Sequence, residues 1–277
     1  MFCCMILIIL STTSRTLAGE RAARLVFPIG ELFEPLVADP KEPQFSAGIH
    51  RVDSSGRLGQ FTAGVVSYGE HFGLIRWQTA NKQQWQLSVV GALFAQFNMI
   101  ADSKDLINAD YTVGVSGTHR RGPLSYRLRI LHQSTHLGDE LLLSDSAPER
   151  INFSLEATDF LASYQWEVLR IYGGMGYLWN VEPSNLHRTG LQAGAEFHDT
   201  KHRLFGGRGI GGIDLIAFEA DNWDINTALK FGLEYGKRGS GNRRIRVMLE
   251  LYDGNAPFGQ FYDVAIKSYG AACYLLF

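Results

Sequence analysis

The chain predicts an all-β fold, an antiparallel barrel whose wall crosses a membrane. Three observations predict it. Long segments alternate apolar and polar residues with period 2, which is the strand period and not the 3.6 of a helix. Those segments run to about ten residues or more, the length a tilted strand needs to cross a bilayer and long for a soluble sandwich. The composition suits strands, with 30 Gly, 17 Phe and 11 Tyr in 277 residues.

The elements follow in order. Residues 2–10 (Phe-Cys-Cys-Met-Ile-Leu-Ile-Ile-Leu) are an apolar run, and Thr16-Leu17-Ala18 is a small-x-small cleavage site, so residues 1–18 are expected to be a secretory signal peptide. No Lys or Arg precedes the run, a departure from the usual signal. No other stretch is apolar for long enough to span a membrane as a helix. Cys3 and Cys4 leave with the leader and Cys273 remains, so no disulfide framework is expected. The leader also removes Arg15 from a chain of net charge −2, and so small a charge does not point to a nucleic-acid partner.

Residues 19–43 contain Pro28, Pro35, Pro40 and Pro43, half of the 8 prolines. This reads as a Pro-rich periplasmic arm or plug and not as a strand. The barrel is assigned to residues 44–277. About twelve strand-like segments follow Phe45. Trp85, Leu87, Val89, Leu93, Ala95, Phe97 and Met99 oppose Gln86, Ser88, Gln96 and Asn98. Ile225, Leu229, Phe231, Leu233 and Tyr235 oppose Asn226, Lys230 and Glu234, and Ile245, Val247, Leu249 and Leu251 oppose Arg246 and Glu250. An even strand count puts both ends in the periplasm. Gln78–Gln84, Arg121–Pro123, Glu167–Leu169 and Gly236–Asn242 then become periplasmic turns. Asp102–Asp110, Leu137–Glu149, Asn180–Gly190 and Asp253–Asp263 become outer loops.

The last strand alternates Tyr269, Ala271, Cys273, Leu275 and Phe277. A terminal aromatic closing such a strand resembles the signal by which outer-membrane barrels are handed to their assembly machinery. The expectation is therefore an outer-membrane β-barrel of a bacterial cell, with that machinery as its partner in biogenesis.

Leu124, Tyr126, Leu128 and Ile130 share one strand face, and the same parity carries His132, Ser134 and His136; Arg127, Arg129, Gln133 and Thr135 point the other way. A histidine beside a serine hydroxyl can take its proton and make it a nucleophile, given a third polar group to orient the ring. If Leu128 pairs with Phe160 on the following strand, Glu156 faces His132 and Asn152 faces His136. Ser134 is then the candidate nucleophile, His132 the base, and Glu156, or else Asn152, the orienting group. The same residues also suit an ordinary membrane-interface rim, and His132, His136 and Glu140 an alternative zinc site.

Asp102, Asp105, Asn108 and Asp110 crowd one outer loop, a spacing of oxygen ligands that suits Ca2+, with a capped, solvated turn as the plain alternative. Calcium there would lie one strand from the His-Ser strand, near enough to favour an oxyanion.

The His-x-Ser pair ending an outward strand resembles the active sites of two families, outer-membrane phospholipase A and lipid A 3-O-deacylase. Both are barrels whose Ser-His-Asn or Ser-His-Glu triad faces the outer leaflet. The resemblance implies a lipid acyl hydrolase, with outer-leaflet lipids as partners. Thr135 departs from the Asn typical after the serine, and the families' third member stands where this chain has Ser146. Over nearly its whole length the chain resembles a family of bacterial outer-membrane barrels of unknown function. That resemblance is carried by Phe27-Pro-x-Gly-Glu-Leu-Phe-Glu-Pro-Leu-x-Ala-Asp-Pro40, Ser103-Lys-Asp-Leu-Ile-Asn-Ala-Asp-Tyr111, His132-Gln-Ser-Thr-His-Leu-Gly-Asp-Glu140 and Gly259-Gln-Phe-Tyr262. The alternatives to an enzyme are a channel lined by Arg127, Arg129, Lys230 and Arg246, and a structural barrel acting through its loops.

Overall fold

A computed structural model of the chain describes residues 24–54, 59–143, 151–184, 186–238 and 242–277. The expected leader at 1–18, residues 19–23 and Ser146 lie outside the described residues. The strands are β1 (Arg24–Val26), β2 (Phe45–Ser54), β3 (Gln60–Gln78), β4 (Gln84–Asn98), β5 (Leu106–Arg121), β6 (Leu124–Leu137), β7 (Ser154–Trp166), β8 (Leu169–Glu182), β9 (Thr189–His198), β10 (Arg208–Phe218), β11 (Ile225–Tyr235), β12 (Arg244–Asn255) and β13 (Ala265–Leu276). One short helix, α1 (Asp139–Leu142), follows β6.

Strands β2 to β13 form a closed up-and-down barrel of 12 strands. Each pairs antiparallel with its neighbours in sequence, and β13 pairs with β2 from Ile266↔Ser54 to Leu275↔Phe45 to close the ring. Phe45 and Phe277 meet edge to face at that seam, with ring centroids 5.3 Å apart. Closure leaves the twelve wall strands without a free edge. The two-residue turns, 122–123 after β5 and 167–168 after β7, lie at the end that holds the C-terminus, and the longest connection, 138–153, lies at the other. Gly122 takes φ +58 in the two-residue β5–β6 turn, a conformation that suits glycine. The short-turn end is the periplasmic one.

The wall is inverted relative to a soluble protein. Tyr68, Phe72, Leu87, Val113, Leu128, Ile130, Phe160, Ile171, Phe231 and Leu249 lie exposed on the outside. Arg127, Arg170, Glu196, Asp214, Lys230, Glu234, Arg246 and Glu250 are buried inside. An apolar exterior around a polar interior is the pattern of a membrane barrel. No helix among the described residues is long and apolar enough to cross a membrane, which leaves the crossing to strands.

The Pro-rich segment, expected as an arm or plug without a strand, is described from Arg24, and Arg24–Val26 forms a strand. β1 pairs with the periplasmic end of β3, at Arg24↔Trp77. The chain then turns into the lumen, and Leu32, Phe33, Leu36, Val37 and Ala38 are buried there. The segment therefore forms a plug. Its apolar residues need burial, and the charged wall supplies partners for its backbone and acids. Arg127 and Arg170 lie over the Phe33 ring at 4.8 and 5.5 Å. Arg170 donates to the carbonyls of Glu34 and Pro35, and the Val37 amide donates to Glu196 at 2.7 Å. Arg127 Nη1 donates to both oxygens of Glu42, at 2.7 and 3.0 Å. The plug tip, around Asp39 to Lys41, reaches the outer half of the barrel, and the chain returns to start β2.

Candidate functional site

The site begins with a change of chemistry along one face of β6. Leu128 and Ile130 belong to the apolar exterior, and His132 and Ser134 follow on the same face toward the outer rim. Residues two apart on a strand project the same way. Leu128 pairs with Phe160 and His132 with Glu156, so the register is the one considered from the sequence. Across that pair, His132 Nδ1 and Glu156 Oε1 are 3.1 Å apart, with both side chains partly exposed. A carboxylate at Nδ1 favours the tautomer that carries its proton there and leaves the Nε2 lone pair free.

Ser134 stands one step further out, opposite Tyr111 of β5 and Ser154 of β7. Among the described residues no hydrogen bond joins its hydroxyl to His132. Tyr111 packs edge-on against His136, with ring centroids 5.5 Å apart. The pairing of β7 with β8 shifts register between Glu156 and Ala157, so Asn180 is the partner of Glu156 and Glu182 that of Ser154. The extra residue is Trp179, and it turns Asn180 and Glu182 to the exterior as exposed residues. Sequence parity gives no sign of a bulge, so both were missed. The result is a polar island on the outer wall, made of His132, Ser134, Ser154, Glu156 and Asn180, above an apolar belt.

Asn152 precedes the first residue of β7. β7 starts at Ser154, and the Thr135 amide donates to the Phe153 carbonyl just before the ladder begins. Asn152 therefore lies just outside the ladder, whose register runs on toward it through the Thr135–Phe153 bond.

The expected calcium set separates. Asp102 and Asp105 stay in the β4–β5 loop, where Asp105 accepts from the Ser103 hydroxyl. Asn108 and Asp110 are already on β5, whose pleat turns both into the lumen, fully buried. There Asp110 Oδ2 accepts from Lys41 Nζ at 2.6 Å and from the Gly259 amide at 3.2 Å, and its Oδ1 accepts from Thr135 Oγ1 at 2.8 Å. A lysine ammonium occupies the place the reading gave to a cation. No group of three or more His, Cys, Asp or Glu among the described residues is arranged to hold a metal, which includes His132, His136 and Glu140.

The lumen cations expected to line a channel are engaged. Arg129 Nε binds both oxygens of Asp159, Arg246 binds Glu234, and Lys230 donates to the Tyr274 hydroxyl.

Comparison with solved structures places the fold among outer-membrane barrels. Outer membrane phospholipase A from Escherichia coli superposes with TM-score 0.52 at 11% identity, over 89% of this chain and 94% of that one. An active-site mutant of the same protein gives TM-score 0.53 at 12% identity, over 89% and 94%. The calcium-bound dimer of the Salmonella typhi outer membrane phospholipase gives 0.52 at 10%, over 87% and 94%. Likeness at this identity establishes the fold. A closed barrel of this kind, with an apolar exterior, is that of a Gram-negative outer-membrane protein. No match was found among curated protein sequences. The chain belongs to the family described as Protein of unknown function (DUF1207), whose model matches residues 11–277.

Proposed function

We propose that this outer-membrane barrel hydrolyses acyl esters of outer-leaflet lipid at the exterior patch of Ser134, His132 and Glu156. The observation that carries the reading is the 3.1 Å His132–Glu156 pair on the lipid-facing wall, with Ser134 two residues on along the same face. Ser134 Oγ attacks the ester carbonyl carbon while His132 Nε2 takes its proton, and Glu156 holds the ring and stabilises the imidazolium. As the tetrahedral intermediate collapses, His132 returns the proton to the departing alcohol oxygen. Water, deprotonated by His132, then releases the fatty acid from Ser134. The Ser134–His132 hydrogen bond forms on substrate binding, since catalytic hydrogen bonds are commonly loose in the free enzyme.

The outer membrane phospholipases, by their names, act on phospholipid from a barrel of this fold. The present reading rests on three side chains and not on that overall likeness. Calcium is bound in the Salmonella typhi structure, whereas Asp102, Asp105, Asn108 and Asp110 here do not fit one ion, so no step is routed through a metal. The plug and the paired lumen charges weigh against a passive channel.

The test is fatty-acid release from mixed phospholipid and lipopolysaccharide vesicles, with and without calcium. Release that Ser134→Ala abolishes supports the reading. Wild-type protein indistinguishable from Ser134→Ala on both lipids rejects it.

A further inference from the structure

Between the plug tip and the outer loops lies a cavity of about 230 Å³, on the lumen side of the wall and separate from the exterior patch. Its walls are apolar, formed by Leu178, Ile216, Phe218, Tyr252 and Phe258, while Lys41 and Asp214 contribute to its lining near the plug. An apolar cavity of about 150 Å³ holds benzene, so this one has room for one ring and a short substituent. Cavities with mostly apolar walls and few polar groups are the usual form of small-molecule sites.

The charges at this cavity have one sign left over. Lys41 is paired with Asp110 at 2.6 Å, and His187 with Glu219 at 3.5 Å. Asp214 and Asp221 line the same cavity, and neither has a cationic side chain within ion-pair distance among the described residues. Asp214 is buried, at 1% exposure. Its Oδ1 accepts from the Tyr172 hydroxyl and, at 2.9 Å, from Gln192 Nε2, so the carboxylate is held in place by two donors. Among the described residues its Oδ2 has no hydrogen-bond partner. A buried oxygen without a donor costs free energy, which a donor entering the cavity would recover.

We propose that this cavity binds a small apolar amine, with its ring or branched alkyl body against the aromatic walls and its ammonium on Asp214. The barrel would then carry a ligand site inside its outer mouth, whatever its exterior patch does.

The experiment uses the folded barrel in detergent and three probes of one size: 2-phenylethylamine, 2-phenylethanol and phenylacetate. Calorimetry is expected to show saturable binding of the amine, at least tenfold tighter than of the alcohol, and weakest for phenylacetate. Asp214→Asn keeps an acceptor for Tyr172 and Gln192 and is expected to weaken the amine at least tenfold. Ala228→Leu, which adds bulk to the lining, is expected to remove binding without touching a charge. Heat-modifiable migration on gels verifies that each variant is folded. The proposal is overturned if the amine shows no saturable binding at millimolar concentration, or binds no tighter than the alcohol or the acid. It is also overturned if folded Asp214→Asn and Ala228→Leu both bind the amine as the wild type does.

Discussion

Lys41 Nζ lies 2.6 Å from Asp110 Oδ2, a contact between the tip of the plug and the lumen face of β5. The same carboxylate accepts from Thr135 of β6 and from the Gly259 amide of the last outer loop. Plug, two wall strands and a loop thus meet on one side chain. The Lys41 ammonium also lies 4.2 Å from the centre of the Phe94 ring. This is an anchor built from a buried charge, and such an anchor is sensitive to the loss of either member.

Asp110→Ala is therefore expected to destabilise the barrel by about 3–5 kcal/mol, because it strands Lys41 and removes the acceptor of three further donors. Lys41→Met is expected to cost less, since Asp110 retains Thr135, Gly259 and Asn108 as donors. Urea unfolding of refolded protein in detergent measures both. Equal costs would show that Asp110 serves Lys41 alone and does not join the other elements.

The plug bears on conduction. In planar bilayers the wild-type protein is expected to show no steady single-channel current. Glu42→Ala leaves Arg127 without its carboxylate and is expected to loosen the plug into brief openings. Steady currents from the wild type would mean that the plug does not seal the lumen.

Glu31 lies on the plug near the periplasmic mouth, where it accepts from Ser88 at 2.9 Å and from Gln86 at 2.6 Å. Burial pushes its carboxyl up to about 7 from the usual 4.5, against the pull of Ser88 and Arg76. The folded state therefore holds this proton more tightly than the unfolded chain. The contribution of Glu31 to stability is greatest below about pH 4.5 and is lost as the pH rises to about 7. Glu31→Gln keeps the acceptor and removes the titration. The stability of the wild type relative to this variant is expected to fall between pH 5 and pH 8, read from urea midpoints. A rise over that range would contradict the assignment.

Much of the wall was legible because period 2 leaves little freedom. Once Leu128 and Phe160 share a face and a depth, Glu156 must stand opposite His132. The plug was not legible to the same degree. Leu32, Phe33, Leu36 and Val37 follow neither strand nor helix period, and their partners, such as Glu196 for the Val37 amide, lie 159 residues away. The acidic string from Asp102 to Asp110 misled for a local reason. β5 begins at Leu106, inside the string, and its pleat buries Asn108 and Asp110 while Asp102 and Asp105 remain in the loop. Asn180 reached the exterior through a bulge at Trp179 that alternation does not encode.

The exterior patch gives the last prediction. Ser134→Ala is expected to abolish acyl release from outer-leaflet lipid, and His132→Ala to cost about as much, because the residues of a triad act as a unit. Glu156→Ala is expected to cost at least tenfold but less than either, since an orienting carboxylate does not bond to the substrate. Asn152→Ala is expected to leave the rate near the wild-type value, because Asn152 lies outside the β6–β7 ladder. Asn180→Ala, beside Glu156 on the other strand, probes whether the acid itself needs a neighbour. All five positions are at least partly exposed, away from the plug, so each variant is expected to unfold within about 0.5 kcal/mol of the wild type. That separation is what makes the series decisive. A loss of activity with unchanged stability points to chemistry at Ser134 and His132. Full activity in both variants would assign any lipid hydrolysis by this barrel to a different set of residues.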